Sequence, residues 1–294
     1  MSETTANLRR KISSAQELQS VVRTMKALSA SNIGQYQQSV HALADYYRTV
    51  ELGLAACLRK SEPADFLTAG SGNGETGAVR AVVFGSDQGL VGRFNDVLVE
   101  YALDELAKLP GSPKIWAVGE RIQTRLADAG RPTMGVLGVP NSVRAIAPLV
   151  GRILLEGELG EGRSEFGQLH LFYNRPMAGA IYAPVGQRLL PLDEGWRRNL
   201  CGLAWPTRNL PELVGGGKAA LRALIREYVF VSLFRACAES LASENASRRA
   251  AMERADRNID ELLDHLRGDF HRLRQSGIDE ELFDVISGFE AASG

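Results

Sequence analysis

The chain has 294 residues, with 34 basic and 35 acidic side chains and a formal net charge of −1. This balance argues against nucleic acid as the main partner, because phosphate binding needs a local excess of lysine and arginine. No apolar run reaches the ~18 residues that span a bilayer, and no signal-peptide pattern is present, so we expect a cytoplasmic protein. Cys57, Cys201 and Cys237 are odd in number and widely spaced, which predicts reduced structural thiols and no disulfide framework or zinc site.

Residues 2–60 are predicted to form a single helix with Ser2, Thr4 or Thr5 as its N-cap. Apolar side chains in its second half recur at steps of three and four, the seam of a coiled coil, at Ile33, Tyr36, Val40, Leu43, Tyr47, Val50, Leu54 and Cys57. The first half carries the same steps with a phase slip, at Leu8, Ile12, Ala15, Leu18, Val22 and Met25. A helix of about 57 residues would be ~85 Å long, so an ordinary amphipathic helix on a globular core would suit only its second half.

The middle of the chain is predicted to be a linker followed by an α/β domain. Pro63 and the glycine-rich run 70–74 mark residues 61–77 as the linker. Strands are predicted at 79–84, 114–118, 134–137, 168–173 and 180–185, with a turn at 174–179, and helices at 90–109, 121–129 and 142–155, the last with a flaw or kink at Pro148. This alternation is typical of an open, doubly wound and mostly parallel sheet.

The last part of the chain is predicted to be a second connector and a second long helix. Three prolines and a glycine triplet mark residues 189–217 as the connector. Residues 217–289 contain no proline and would span ~105 Å as a helix. The apolar positions of this helix are Met252, Ala255, Ile259, Leu262, Leu266, Phe270 and Leu273. A helix of that length needs another long helix beside it, and we expect residues 33–57 to lie along residues 252–273.

These elements predict an α/β fold class. Long N- and C-terminal helices would form an antiparallel coiled coil, and a Rossmann-like open α/β domain would be inserted between them. The predicted domains are residues 1–60 for the N-terminal helix, 61–209 for the linker and α/β domain, and 210–294 for the C-terminal helix.

The turn at residues 85–92 is the one segment that suggests a ligand. Glycines between a strand and a helix can let backbone N–H groups cradle a phosphate. The spacing fits neither the dinucleotide fingerprint nor the P-loop pattern, so glycines that serve the turn alone are the favoured interpretation. The four histidines lack metal-ligand spacing, and no nucleophile and base are placed together. We therefore predict no catalytic residue, cofactor or metal ion.

Several motifs occur in a fixed order along the chain. They are Arg10-Lys11-Ile12, Thr24-Met25-Lys26, Ser86-Asp87-Gln88-Gly89-Leu90-Val91-Gly92 with Asn95, Ser243-Glu244-Asn245 with Arg248, Met252 and Asn258, and Arg274-Gln275 with Ile278, Glu281 and Leu282. In order and spacing the chain resembles the gamma subunit of F-type ATP synthases over nearly its whole length. Gln88, Val91 and Asp279 depart from that family's usual arginine, cysteine and threonine, which indicates a divergent branch such as the alternate sodium or proton F-type ATPases.

The resemblance implies a rotor, the central stalk of a larger complex. One copy would turn inside a ring of three alpha and three beta subunits, with its α/β domain on the membrane c-ring beside the epsilon subunit. It would couple ion flow to ATP synthesis or hydrolysis in beta, as a non-catalytic peripheral protein on the cytoplasmic face of the cell (inner) membrane. The ring contacts implied by the resemblance are Arg10, Met25, Lys26, Arg248, Arg274, Gln275, Glu281, Ile286 and Phe289.

Each of these residues also has an ordinary alternative as a solvated charge or a coiled-coil core residue. Two other functions remain open at this point. One is a nucleotide-binding α/β enzyme with a helical dimerisation arm, and the other is a structural coiled-coil tether. The first would bind a nucleotide and form a homodimer, whereas the tether would not associate with ATPase subunits.

Overall fold

The computed structural model describes residues 4–60, 79–158, 168–190, 192, 194–209, 211–212 and 217–293. The predicted linker at residues 61–77 lies outside these residues. The chain divides into two compact units. The first combines residues up to Ser29 with those from Arg248 onward, and the second contains Ala30–Ser247.

Two long helices contribute to both units. Helix α1 covers Thr5–Lys60 and helix α6 covers Gly217–Ser293, so both predicted long helices are confirmed and the second ends four residues later than expected. Of the three candidate N-caps for α1, Thr4 has the capping geometry, because its Oγ1 accepts the backbone N–H of Asn7 at 3.3 Å.

The first unit is an antiparallel helix pair with a narrow apolar seam. Residues Ala15 and Val22 of α1 pack with Met252, Ile259 and Leu263 of α6. Toward the start of α1, the guanidinium of Arg9 lies 5.6 Å from the ring centroid of Phe270.

Two positions of the predicted seam are wrong. Leu18 is 55% exposed and its neighbour Gln19 is buried, while Leu262 is 49% exposed and its neighbour Leu263 is buried. In both cases the next inward-facing residue comes after a step of four, from Ala15 to Gln19 and from Ile259 to Leu263, where a step of three was predicted.

The expected pairing of residues 33–57 with residues 252–273 is also wrong. Residues 33–57 belong to the second unit, where Tyr46 donates a hydrogen bond to Glu227 and the ring of Tyr47 lies 5.8 Å from that of Tyr228. In an antiparallel pair the partner's number falls as the residue's number rises. Residues 33–57 therefore meet the early part of α6, and residues 252–273 belong to the first unit with the start of α1.

The second unit contains a five-stranded sheet in the order β3-β2-β1-β4-β5. Its strands are β1 (Arg80–Phe84), β2 (Lys114–Val118), β3 (Gly135–Leu137), β4 (Leu169–Met177) and β5 (Ala180–Leu190). All neighbours are parallel except β4 and β5, which form an antiparallel hairpin. Strand β4 continues four residues past its predicted end, so the turn is shorter than expected and Gly179 occupies it with φ +84°.

Helices cover both faces of this sheet, as predicted. Helices α2 (Phe94–Leu106) and α3 (Glu120–Asp128) pack on one face through residues such as Leu98 and Ile122. The other face packs on helix α4 (Ile146–Glu158) and on α1 and α6, where Phe84 and Tyr173 share a core with Leu54 and Leu233. The fold is therefore the predicted α/β sheet flanked by long terminal helices.

Two local expectations about helices are wrong. Pro148 lies in the first turn of α4, where a missing N–H breaks no helical hydrogen bond, so it does not interrupt the helix. The predicted connector contains helix α5 (Glu194–Cys201), whose Trp196 donates to the hydroxyl of Tyr228 at 3.1 Å. This short helix lies between prolines and glycines, which hid its pattern.

Candidate functional site: the turn after the first strand and its contacts

The turn at residues 85–92 connects β1 to α2 and is tightly packed. A Cβ added at Gly85 would lie 2.2 Å from Cβ of Ile122, so only glycine fits there. Leu90 adopts a left-handed conformation with φ +62°, which is rare for a residue with a side chain and costs about 1 kcal/mol. Packing inside the sheet domain thus accounts for Gly85, in agreement with the favoured interpretation.

The polar groups of this turn bond within the domain. The N–H of Ser86 donates to Oδ1 of Asn95 at 3.1 Å, and Nδ2 of Asn95 donates to Oγ of Ser86 at 2.8 Å. The carboxylate of Asp87 accepts the backbone N–H of Glu120 at 3.0 Å and that of Val139 at 2.9 Å. The carboxylate of Asp87 thus binds the N-terminus of α3, and the polar side chains of the turn are used inside the domain.

Two serines of α6 bond to carbonyl groups at the two ends of this turn. Ser240 Oγ donates to the carbonyl of Phe84 at 3.1 Å, and Ser247 Oγ donates to the carbonyl of Val91 at 2.6 Å. Both serines are buried. The turn that suggested a ligand is thus a contact surface for α6.

An ion-pair cluster around the buried carboxylate of Glu239 joins β4 to the same stretch of α6. The carboxylate of Glu239 accepts Nε of Arg175 and Nε of Arg235, each at 2.8 Å. The guanidinium of Arg175 also bonds to the hydroxyl of Tyr173 at 2.5 Å. Burial, and next the charge of Glu239, raise the pKa of Tyr173 to about 12, so this phenol stays protonated at neutral pH.

In the first unit, Asp256 is the centre of a second polar cluster. Its carboxylate accepts Nζ of Lys26 at 2.9 Å, Nε of Arg23 at 3.0 Å and Nε2 of Gln19 at 3.3 Å. Gln19 also donates to Asp260 at 2.5 Å. Hydrogen bonds from Lys26 and from Arg23 lower the pKa of Asp256, which stays ionised at neutral pH.

All the residues with implied ring contacts fall in the first unit. Met25 packs against the apolar seam, Lys26 is bound to Asp256, and Arg248 is half-buried. The exposed members of the set are Arg10, Arg274, Gln275, Glu281, Ile286 and Phe289. Exposure is compatible with a partner contact, and the contacts themselves stay predictions.

Sequence reasoning missed the polar residues that bind the elements together. Glu239, Ser240 and Ser247 lie in a stretch of α6 that is buried on nearly all sides, and Arg175 lies in a strand. The available signal was the presence of polar side chains among apolar residues of a long helix, because buried polar groups need hydrogen-bond partners. Their partners on the sheet are distant in sequence, and no spacing rule identifies them.

The features of the described residues that bear on reactivity or membrane insertion are potential metal ligands, thiols and apolar helices. In this part of the chain no three histidine, cysteine, aspartate or glutamate side chains are grouped to hold a metal ion. All three cysteines are free thiols. Among the helices that the structure describes, none has an apolar stretch long enough to cross a bilayer.

Comparison with known proteins gives matches along nearly the whole chain. The family model described as ATP synthase matches residues 4–292. The chain is 30% identical to the ATP synthase gamma chain of Clavibacter sepedonicus, over 96% of this chain and 95% of that one. It is 27% identical to the gamma chain of Cereibacter sphaeroides, over 97% of this chain and 98% of the relative.

Solved structures share the fold. The rotor of the Euglena gracilis mitochondrial ATP synthase superposes with a TM-score of 0.62 at 17% identity, covering 93% of this chain and 98% of that one. The central stalk and c-ring structure of the Tetrahymena thermophila mitochondrial enzyme gives a TM-score of 0.55 at 19% identity, covering 80% and 99%. With the family match and the curated relatives, these findings establish that the chain belongs to the ATP synthase gamma-chain family.

Proposed function

We propose that this chain is the rotating central shaft of an F-type ATP synthase and couples transmembrane ion flow to ATP synthesis or hydrolysis in the beta subunits. The observation that carries the proposal is the family match over residues 4–292, which includes both long helices and the sheet domain between them. The similar structures are described as an ATP synthase rotor and as a central stalk with a c-ring. By this likeness the chain would associate with the alpha and beta subunits and with the c-ring.

The mechanism follows from symmetry. A single shaft inside a ring of three alpha and three beta subunits touches each beta subunit through a different face. It can change their nucleotide affinities only through those differences in contact. Turning the shaft by one third exchanges the three states. Ion flow would drive the turn in one direction, and ATP hydrolysis would drive it in the other.

The finer assignments belong to the same proposal. One copy would work per complex, with the epsilon subunit beside the sheet domain, and the complex would be attached to the cytoplasmic face of the inner membrane. The last part of α6 supports an apolar contact with the ring of alpha and beta subunits, because it presents exposed apolar side chains, namely Ile278, Leu282, Phe283, Val285, Ile286 and Phe289. Arg274, Gln275 and Glu281 precede or interrupt this apolar surface and would form polar contacts with a beta subunit.

Co-purification tests the proposal directly. The chain is co-expressed with the alpha and beta subunits of its own organism, and ATPase activity is followed through purification on a tag placed on this chain. We expect the activity and both subunits to co-purify in a fixed ratio. A chain that elutes alone, or as a nucleotide-binding homodimer, would contradict the rotor function.

A double substitution tests the polar contacts. In the assembled enzyme, Arg274→Ala with Gln275→Ala should lower ATP-driven ion pumping, since each lost charged or polar contact is worth about 1 kcal/mol or more. Arg272→Ala is the control, because this exposed arginine is paired with Asp269 of its own helix and is not among the residues implied to contact the ring. Equal pumping by the double variant and the unaltered enzyme would remove Arg274 and Gln275 from the contact surface.

A further inference from the structure

We call Ser240 and Ser247 of α6 the hydroxyl pair, because both side chains bond to the end of β1 or to the turn that follows it. The two residues are seven apart, which is about two helical turns, so they lie on one face of α6. Their hydroxyls donate to the carbonyls of Phe84, the last residue of β1, and Val91, near the end of the turn 85–92. Two points along one helix face are thus bound to two points of one loop.

These bonds differ from the usual behaviour of serine in a helix. A helical serine commonly bonds back to the carbonyl four residues earlier in its own helix. Ser243 does this, since its Oγ donates to the carbonyl of Glu239 at 2.9 Å. Ser243 is also fully buried and lies between the two members of the hydroxyl pair. Of these three serines in one helix, Ser243 therefore bonds within α6, and Ser240 and Ser247 bond to the sheet domain.

The loop that receives these bonds is itself fixed to the sheet domain. The side chain of Asn95 in α2 holds the N–H of Ser86. The carboxylate of Asp87 holds the N-terminus of α3 and the N–H of Val139. Nδ2 of Asn174 in β4 donates to the carbonyl of Phe94 at 2.9 Å. A force on the loop is therefore distributed to the whole sheet domain.

Hydrogen bonds fix the direction in which α6 faces the turn, and apolar packing does this less well. Burial of apolar surface has no preferred direction, whereas a hydrogen bond weakens steeply when its length or angle changes. Rotation of this stretch of α6 about its own axis would move both hydroxyls off their carbonyls. The charged contact from Glu239 to Arg175 constrains the same stretch from β4.

We propose that Ser240 and Ser247 are positioning residues that fix the rotational position of α6 against the sheet domain and so transmit torque between them. This inference rests on the proposed rotor function and deepens it. The pair acts through the helix and touches no nucleotide. Loss of the pair should let α6 slip against the sheet domain under load, so that some ATP is hydrolysed without an ion being moved.

The test compares Ser240→Ala with Ser247→Ala, made together, against Ser243→Ala. Each variant is assembled into the complete enzyme in membrane vesicles, and ATP hydrolysis and ATP-driven ion pumping are measured on the same preparation. We expect ATPase rates close to those of the unaltered enzyme and a roughly twofold or larger fall in ions moved per ATP for the double variant, because both hydrogen bonds from α6 to this turn are lost. Ser243→Ala should leave that ratio unchanged.

Hydrogen exchange of the assembled enzyme confirms that the bonds were removed. Amides of residues 85–92 should exchange about fivefold faster for each bond lost in the double variant, and not in Ser243→Ala. Ser247→Thr keeps the hydroxyl and should retain the ion-to-ATP ratio that Ser247→Ala lowers. If the double variant fails to assemble, Ser247→Ala alone carries the test because its bond is the shorter one.

The outcomes separate the inference from the function on which it rests. Equal ion-to-ATP ratios in the unaltered, double and Ser243→Ala enzymes would overturn the role of the hydroxyl pair while leaving the rotor function intact. An equal fall in the double variant and in Ser243→Ala would also overturn it, because the effect would then be general destabilisation. Failure of the unaltered chain to assemble with alpha and beta would contradict the rotor function itself.

Discussion

The two units of this chain hold their helices together in different ways. In the first unit, α1 and α6 share one narrow apolar seam, and three polar side chains converge on Asp256 beside it. In the second unit, the same two helices enter a deep core with the sheet and α4. Apolar burial provides stability in the second unit, and the first depends more on directional polar contacts that select one axial alignment.

The largest expected contrast between the units comes from two leucines of α1. Leu54 is fully buried in the core of the second unit, and Leu18 is 55% exposed in the first. Leu54→Ala should lower the free energy of unfolding by about 2–5 kcal/mol, whereas Leu18→Ala should change it by about 0.5 kcal/mol or less. Urea unfolding followed by circular dichroism measures both. Comparable losses would show that Leu18 belongs to the seam after all.

A smaller effect is expected from the polar cluster of the first unit, and it depends on pH. The bonds from Lys26 and Arg23 lower the pKa of Asp256 below its ordinary value of 3.8. The unfolded chain then binds a proton more readily than the folded one, so this contribution is complete above pH 3.8 and is lost as the pH falls through the lowered pKa. Asp256→Asn should lower the unfolding temperature at pH 7 by less than Leu54→Ala does.

The difference between Asp256→Asn and the unaltered chain should shrink as the pH is lowered below 3.8. Asp264→Asn is the matched control, because Asp264 is exposed and its carboxylate lies 3.6 Å from Arg267 of its own helix. It should have little effect at any pH. A destabilisation by Asp256→Asn that persists at pH 2 would assign the effect to packing.

The smallest effect is expected at the start of α1. Thr4→Ala removes the hydroxyl that accepts the N–H of Asn7 and should cost about 0.5–1 kcal/mol of local stability. Thr5→Ala should cost less, because Thr5 already lies inside the helix. Amide exchange at residues 6–8 reports the change. Faster exchange in Thr5→Ala than in Thr4→Ala would show that Thr5, and not Thr4, is the N-cap of α1.

Sequence patterns predicted the long helices and the sheet well, and they predicted the helix pairing less well. Strand β2 matches its predicted limits, because a short buried strand between turn residues leaves little choice. The seam failed at Leu18 and Leu262, because the next residues, Gln19 and Leu263, fit a step of four as well as the leucines fit a step of three, and only the partner helix decides. The register failed at residues 33–57 because the expected pairing did not follow the antiparallel direction, in which the end of α1 meets the start of α6.

The polar junction could not be predicted from sequence, for a different reason. Ser240, Ser243 and Ser247 are alike in type and in burial, yet Ser243 bonds inside its helix and the other two bond outside it. The difference depends on which carbonyls the sheet domain brings within reach. The motif Ser243-Glu244-Asn245 was recognisable by resemblance. Its bonds show an internal role, since Asn245 accepts from Asn32 across the helix pair at 3.3 Å.

The first unit is formed by the two ends of the chain, and this has a consequence for how the protein folds during synthesis. Gln19 and Asp256 bond to each other although they are 237 residues apart in the chain. A ribosome that has just released the start of α1 must still make most of the protein before any partner for Leu8, Ala15 and Val22 exists. Contacts so distant in sequence form late, and the apolar side of the nascent helix stays open to chaperones or to aggregation until then.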